Sequence, residues 1–148
     1  MKFSFVAIQD WPKVHAAFCR WLPDVWRDPK MFYTVLSQAT SATFEFGIGE
    51  AYVVLTNITI GHKAVIHEVV LGKQFLGRPD LAKEVCRALM DLYRLERLEG
   101  YVDVHNRLAG RYNERLGFHM EGIRRKAEIY NGEATDVAVY GLLKEELL

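Results

Sequence analysis

The sequence predicts a mixed α/β domain built on one central sheet, and three observations carry that reading. The β-branched run from Lys63 to Leu71 reads as a strand buried on both faces. Leu81, Val85, Ala88, Leu89 and Leu92 recur at helical spacing directly after a glycine-containing loop. Two long strand-like stretches near the C-terminus meet at Asn131-Gly132, a dipeptide suited to the positive φ values of a tight hairpin. At 148 residues the chain is expected to form one domain, residues 1–148.

Taken in order, Lys2 to Ile8 reads as an opening strand. Asp10 is placed to cap a helix from Trp11, with Pro12 tolerated in its first turn. A second helix starts after Asp28-Pro29 and carries Met31, Phe32, Val35 and Leu36 on one side. Thr43 to Ile48 and Ala51 to Ile58 form a hairpin, with Gly47 and Gly49 near the turn. After the strand at Lys63–Leu71, Pro79 takes a first helical position, and Asp80 sits where the helix dipole favours a negative charge. Glu99 to His105 is a strand, and Asn106 to Leu116 a short helix stopped by Gly117-Phe118. The last two strands are His119 to Ile129 and Thr135 to Leu143.

Composition narrows the function classes. Apolar residues make up 50% and charged residues 26%, the balance of an ordinary globular protein and not of a disordered tail. Lys plus Arg and Asp plus Glu both number 19, so the net charge is zero, which speaks against life on a polyanion. The locally basic stretch from Arg107 to Lys126 keeps a nucleic-acid contact as a rival reading, although solvated helix and strand faces explain it as well. No stretch has the ~18 apolar residues of a membrane span, and Gln9 and Asp10 interrupt the N-terminus too early for a signal peptide, so a cytoplasmic, membrane-free protein is expected. Cys19 and Cys86 make no metal-ligand pattern and suit a reducing compartment; no metal is expected.

The chemistry concentrates between His67 and Asp80, HEVVLGKQFLGRPD, where a strand runs through a glycine loop into a helix. Such a junction offers spare backbone N–H groups and a positive dipole end, a site for an anion. Lys73 and Arg78 add charge, and Gly77 permits close backbone approach. Neither G-x-x-x-x-G-K-[ST] nor G-x-G-x-x-G is present. Further on stand Asn106, Ala109 and Arg115-Leu116-Gly117-Phe118, then Glu121-Gly122, Arg124-Arg125, Asn131-Gly132 and Asp136.

Together with Gln74-x-x-Gly77-x-Pro79, this ordered set resembles the GNAT superfamily of acetyl-CoA-dependent N-acetyltransferases, and most closely its ribosomal-protein N-terminal acetyltransferase branch. The resemblance covers about Val65 to Glu146; the first ~60 residues match only in the order of elements. It implies a mixed, mostly antiparallel sheet with a splayed strand pair and helices on both faces. It also implies direct acetyl transfer from acetyl-CoA to a primary amine, of a protein N-terminus or a small molecule. The pantetheine arm would lie along backbone groups of Val69 and Leu71, with an N–H near Val70 polarising the thioester carbonyl. The pyrophosphate would sit on Gln74, Phe75, Leu76, Gly77, Arg78 and Pro79. Asn106 would face the pantetheine side.

Two positions depart from that pattern. Pro79 stands where Gly or Ala is usual and removes one N–H. Asn113 occupies the place, seven residues after Asn106, where many family members carry a tyrosine that protonates the leaving thiolate; Asn113 is grouped with Asn106 on the cofactor side. Tyr112 is one residue early, rotated by ~100° around the helix, and either packs in the core or reaches the thiolate. For the base that deprotonates the amine, His67 is the first candidate, Glu68, on the other face of a regular strand unless a bulge swaps them, the second, and a water chain the third. A lysine-like amine of pKa ~10.4 is neutral about once in 2,500 at pH 7, whereas an α-amine needs little help. The rival of a different class is an acyl-CoA-binding sensor or partner-binding module without turnover. The aromatic residues Trp11, Phe18, Trp21, Trp26, Phe32 and Tyr33 suit core packing, an acceptor pocket or a homodimer face.

Overall fold

The computed structural model describes residues 3–72 and 77–147. Its elements are β1 (Phe3–Phe5), α1 (Trp11–Phe18), α2 (Asp24–Arg27), α3 (Pro29–Leu36), β2 (Ala42–Phe46), β3 (Ala51–Thr59), β4 (Lys63–Val70), α4 (Pro79–Tyr93), β5 (Arg97–Asp103), α5 (Arg107–Arg115), β6 (His119–Tyr130) and β7 (Glu133–Leu143). Among the described residues they build a seven-stranded sheet in the order β1-β2-β3-β4-β5-β7-β6. β4 and β5 pair in parallel and the other neighbours are antiparallel.

Period-two alternation gives each sheet face its own core. On one face Phe44, Val53, Leu55, Ala64, Leu98 and Leu142 pack against Val85, Cys86, Leu89 and Met90 of α4. On the other, Tyr52, Val54 and Val69 pack against Val14, Phe18, Leu22 and Phe32 of the N-terminal helices. The stripe of α4 is rotated slightly from the predicted one: Ala82, Val85, Cys86, Leu89 and Met90 are buried, and Leu92 is exposed. α4 ends with Arg94 in the left-handed region at φ 54°, the conformation that most often closes a helix.

Several boundaries differ from the sequence expectation, each for a local reason. β1 spans three residues, because a 3-10 turn at Ile8–Asp10 follows it. Asp10 belongs to that turn and its side chain makes no capping bond, whereas Asp28 does cap α3, accepting from the Lys30 N–H at 2.9 Å. The four-residue α2 carries too little periodicity to be read in advance. β5 starts at Arg97, two residues early, where Arg97 and Leu98 pair with β4 and β7.

Candidate active site

The site begins where the sheet comes apart. β4 and β5 pair from Lys63↔Arg97 to Val65↔Glu99, and among the described residues their pairing stops there. Both strands continue, β4 on β3 as far as Val70 and β5 on β7 as far as Asp103. A wedge therefore opens between them, and with the ends of α1, α2 and α5 it forms a cleft of about 1300 Å³. Its wall includes His67, Glu68, Val70, Gly77, Asn106, Tyr112 and Asn113.

Backbone direction along β4 follows from one bond. The Leu71 N–H donates to the Glu50 carbonyl at 2.8 Å, so this edge of Leu71 faces β3. Alternation in an antiparallel ladder then turns the Val69 and His67 backbone groups toward β3 as well, and those of Val70 and Glu68 toward the wedge. The expectation that Val69 and Leu71 offer their backbone to the cleft is thereby corrected. The same register turns the Val70 N–H toward the wedge.

His67 and Glu68 point to opposite faces. The β3–β4 register is regular from Ala51↔Val70 to Thr56↔Val65, and the irregularity falls between Thr56 and Thr59, where Asn57 has φ 50°. A bulge exists, but on β3 and away from the two candidate bases. His67 lies on the face of the N-terminal helices, its Nε2 3.2 Å from Thr56 Oγ1 and its ring 5.1 Å from the Trp26 ring. Burial pushes its imidazole down to about 4, so it is neutral at pH 7. Glu68 lies on the α4–α5 face, where Tyr112 Oη donates to its Oε1 at 3.0 Å. Burial pushes the Glu68 carboxyl up to about 7, against the opposing pull of that hydrogen bond. Burial and the adjacent Glu68 together push the Tyr112 phenol far above its ordinary value.

Tyr112 reaches the cleft although it is one residue early in α5. Asn106 Oδ1 accepts from the Ala109 N–H at 3.2 Å, which explains the N-x-x-A spacing as an N-cap. One turn on, Gly110 lets the helix lie close to β7: a Cβ there would stand 3.0 Å from the Tyr140 hydroxyl. That close approach suits the Glu68 contact. Asn113, at the position of the missing tyrosine, has its Nδ2 3.8 Å from where a Cβ on Gly100 would be.

The expected anion site is only partly described, since Lys73, Gln74, Phe75 and Leu76 lie outside the described residues. Gly77 has φ 72°, a conformation that favours glycine, and among the described residues nothing lies within 4 Å of where its Cβ would be. Arg78 turns onto Asp80, Nη2 to Oδ2 at 2.8 Å and Nε to Oδ1 at 3.1 Å. The Arg78 guanidinium first, and the Asp80 and Leu81 N–H groups with it, hold the Asp80 carboxyl below its ordinary range. In this arrangement Asp80 itself takes up donors that the sequence assigned to a phosphate.

At the other end the cleft is walled by a contact the sequence did not reveal. Asp24 of α2 accepts from the Asn131 and Gly132 N–H groups of the β6–β7 turn at 2.7 and 2.8 Å. Arg27 Nη1 donates to Asn131 Oδ1 at 2.7 Å. Trp21, Trp26, Tyr101 and Tyr130 line this end. A contact that long in sequence leaves no local pattern, and the only hint was the aromatic content of the first third.

A mixed, mostly antiparallel sheet that parts between its fourth and fifth strands, with helices on both faces, is the GNAT-like fold expected above. Solved structures of spermidine N-acetyltransferase SpeG from Vibrio cholerae are similar over essentially the whole chain. A point mutant has a TM-score of 0.80 at 18% identity, covering 100% of this chain and 98% of that one. A chimera with hSSAT gives 0.77 at 16%, covering 99% of each, and the dodecameric form in an intermediate state gives 0.77 at 17%, covering 99% and 95%. At this identity the likeness establishes the fold. These structures lend no support to the ribosomal-protein branch, which rests on the sequence motifs alone. No protein-family model matches the chain, and no curated protein matches it in sequence.

Proposed function

We propose that the chain, as a single domain of residues 1–148, is an acetyl-CoA-dependent N-acetyltransferase that moves the acetyl group directly to the primary amine of a small molecule. The observation that carries this reading is the wedge between β4 and β5, a gap in the sheet lined by backbone groups with no strand partner on that side among the described residues. An extended pantetheine arm fits such an edge as an added strand would. The thioester carbonyl would meet the Val70 N–H, a donor fixed before the reaction and aimed at the developing oxyanion. Gly77 and Asn106 flank the cofactor side. The whole-chain likeness to SpeG adds weight to a small-molecule amine over a protein N-terminus, and so does the wall that Asp24 builds at the acceptor end. His67, neutral and packed on Trp26, faces that end.

Positioning and backbone electrostatics do most of the work here. Holding amine and thioester together in one cleft turns a bimolecular attack into an internal one. With its low proton affinity His67 is a weak base, so the acceptor enters as the free amine or gives its proton to water. Calorimetry with acetyl-CoA and 3′-dephospho-CoA tests the reading. Micromolar binding of acetyl-CoA is expected, with affinity reduced at least about tenfold in Gly77→Trp, where a side chain is forced into a positive φ. Absence of binding overturns it. Binding without turnover over a wide panel of amines supports the acyl-CoA sensor instead.

A further inference from the structure

The Glu68–Tyr112 hydrogen bond spans the wedge. Glu68 belongs to β4 and Tyr112 to α5, and the ladder joining β4 to β5 has already ended at Val65 and Glu99. The layer around the pair is apolar, with Ile66, Val70, Cys86 and Val102 in the same cluster. A carboxyl and a phenol in contact there, at the wall of the cleft, form a polar device inside a hydrophobic layer. Tyr112 alone is a poor acid, because its phenolate would lie beside a carboxylate. The carboxyl has no such handicap.

We propose, on the acetyltransferase reading above, that Glu68 and Tyr112 form a two-step proton relay to the departing sulfur, with Glu68 as proton source and the Tyr112 hydroxyl as conductor. When Glu68 is protonated, its O–H donates to Tyr112 Oη, and the tyrosine hydrogen is free to point into the cleft. As the carbon–sulfur bond breaks, the sulfur keeps the electron pair. The Tyr112 proton moves to sulfur and the Glu68 proton replaces it on Oη. The products are a thiol, an amide and the Glu68 carboxylate. The proton that the amine nitrogen sheds on becoming an amide returns to Glu68 through water, and the cycle closes with no other reactant. When Glu68 is ionised, Tyr112 donates to it and the hydroxyl turns away from the cleft.

The acidities suit this direction. Glu68 titrates near 7 and a free thiol near 8.5, so transfer to the thiolate is favourable by about thirtyfold. The ionisable groups around the pair are Tyr112 and Arg115 from α5 and Cys86 and Arg87 from α4. Cys86 stays neutral, pushed well up by burial and by Glu68. On β3, the residue paired with Glu68 is Val53, which brings no charge. Tyr112, out of step with the family pattern, thereby acquires a use in the orientation it has.

The test compares the purified wild-type chain with Glu68→Gln, Tyr112→Phe and the double variant. Acetyl-CoA affinity should be unchanged by calorimetry, while kcat falls roughly 100-fold in each single variant and no further in the double. The wild-type kcat should decline above pH ~7, and that limb should vanish in Glu68→Gln, which keeps an acceptor for Tyr112 but cannot pass a proton. Without any ligand, isotope-edited infrared spectra should show a carboxyl titrating near 7 that is lost in Glu68→Gln and shifted in Tyr112→Phe. Single variants with kcat within about threefold of wild type, or losses that multiply in the double variant, overturn the relay. So does a Glu68 carboxyl that titrates at its ordinary value. In each of these cases the wild-type enzyme still binds and turns over; a wild-type chain that binds no acetyl-CoA overturns the acetyltransferase reading, and the relay with it.

Discussion

Along β4 the register with β3 is regular from Val65 to Val70, yet the opposite edge changes character halfway. From Lys63 to Val65 that edge is bonded to β5; beyond Val65 it faces the cleft. Near the bonded half the charged side chains lie flat on the sheet surface. Arg97 bridges Glu99 at 3.1 Å and Glu121 at 2.5 Å, and Lys63 reaches Glu99 at 3.2 Å. Gly141 makes room for this network, since a Cβ there would run into Glu121 and Arg97. On the open half the two titratable residues are both driven toward neutrality, His67 downward and Glu68 upward. Where a strand keeps both neighbours, charge is paired at the surface. Where it loses one, burial without a counter-charge leaves His67 neutral at pH 7 and brings the Glu68 midpoint up to about 7.

The largest expected effect that sharpens this contrast is the cost of placing a fixed charge on each half. Glu68→Lys buries an unpaired cation among apolar neighbours and should destabilise the chain by about 3–5 kcal/mol in urea unfolding. Lys63→Arg, which sets a fixed cation on the bonded half beside Glu99, should cost less than about 1 kcal/mol. Similar losses at both positions would break the contrast.

Next comes pH. Glu68 is raised from 4.5 to about 7, so the stability it contributes is whole below pH 4.5 and is lost as the pH rises through 7. Changing it to Gln should remove up to about 3 kcal/mol of that dependence between pH 5 and 8. His67 runs the other way: lowered from 6.5 to about 4, it contributes stability above pH 6.5 that is lost as the pH falls through 4. His67→Asn should flatten the acid side of the thermal-stability curve by a comparable amount. The smallest effect belongs to the surface network, where Glu121→Gln should cost less than about 1 kcal/mol, an amount that shrinks further at high salt.

Much of this was legible in the sequence wherever a short-range rule governed it. The hairpin at Asn131-Gly132, the stripe of α4 and the cap of α5 at Asn106 follow from turn chemistry, periodicity and side-chain hydrogen bonding. The parting of β4 from β5 was expected only through the family resemblance, and the opposite faces of His67 and Glu68 through the two-residue period of a strand. What escaped depended on tertiary distance. A one-residue offset on a helix left the direction of Tyr112 open, and Gly110 and the length of the tyrosine side chain bring its hydroxyl to Glu68. The Leu71 N–H was spent on Glu50, a residue 21 positions away, and nothing local announced it. Arg78 and Asp80, two apart, satisfy each other at the helix start, where the sequence suggested open donors.

The Asp24 contact also sets an order of events. It joins residues 107 and 108 positions apart, so this wall of the cleft cannot exist until the final hairpin has been made. On a ribosome adding about 5–20 residues per second, α2 waits roughly five to twenty seconds for its partner. During that interval Trp26 already has His67 to pack on, but the far wall of the cleft is still missing. On this scaffold the cleft is completed late in synthesis, because one of its walls is the last hairpin to emerge.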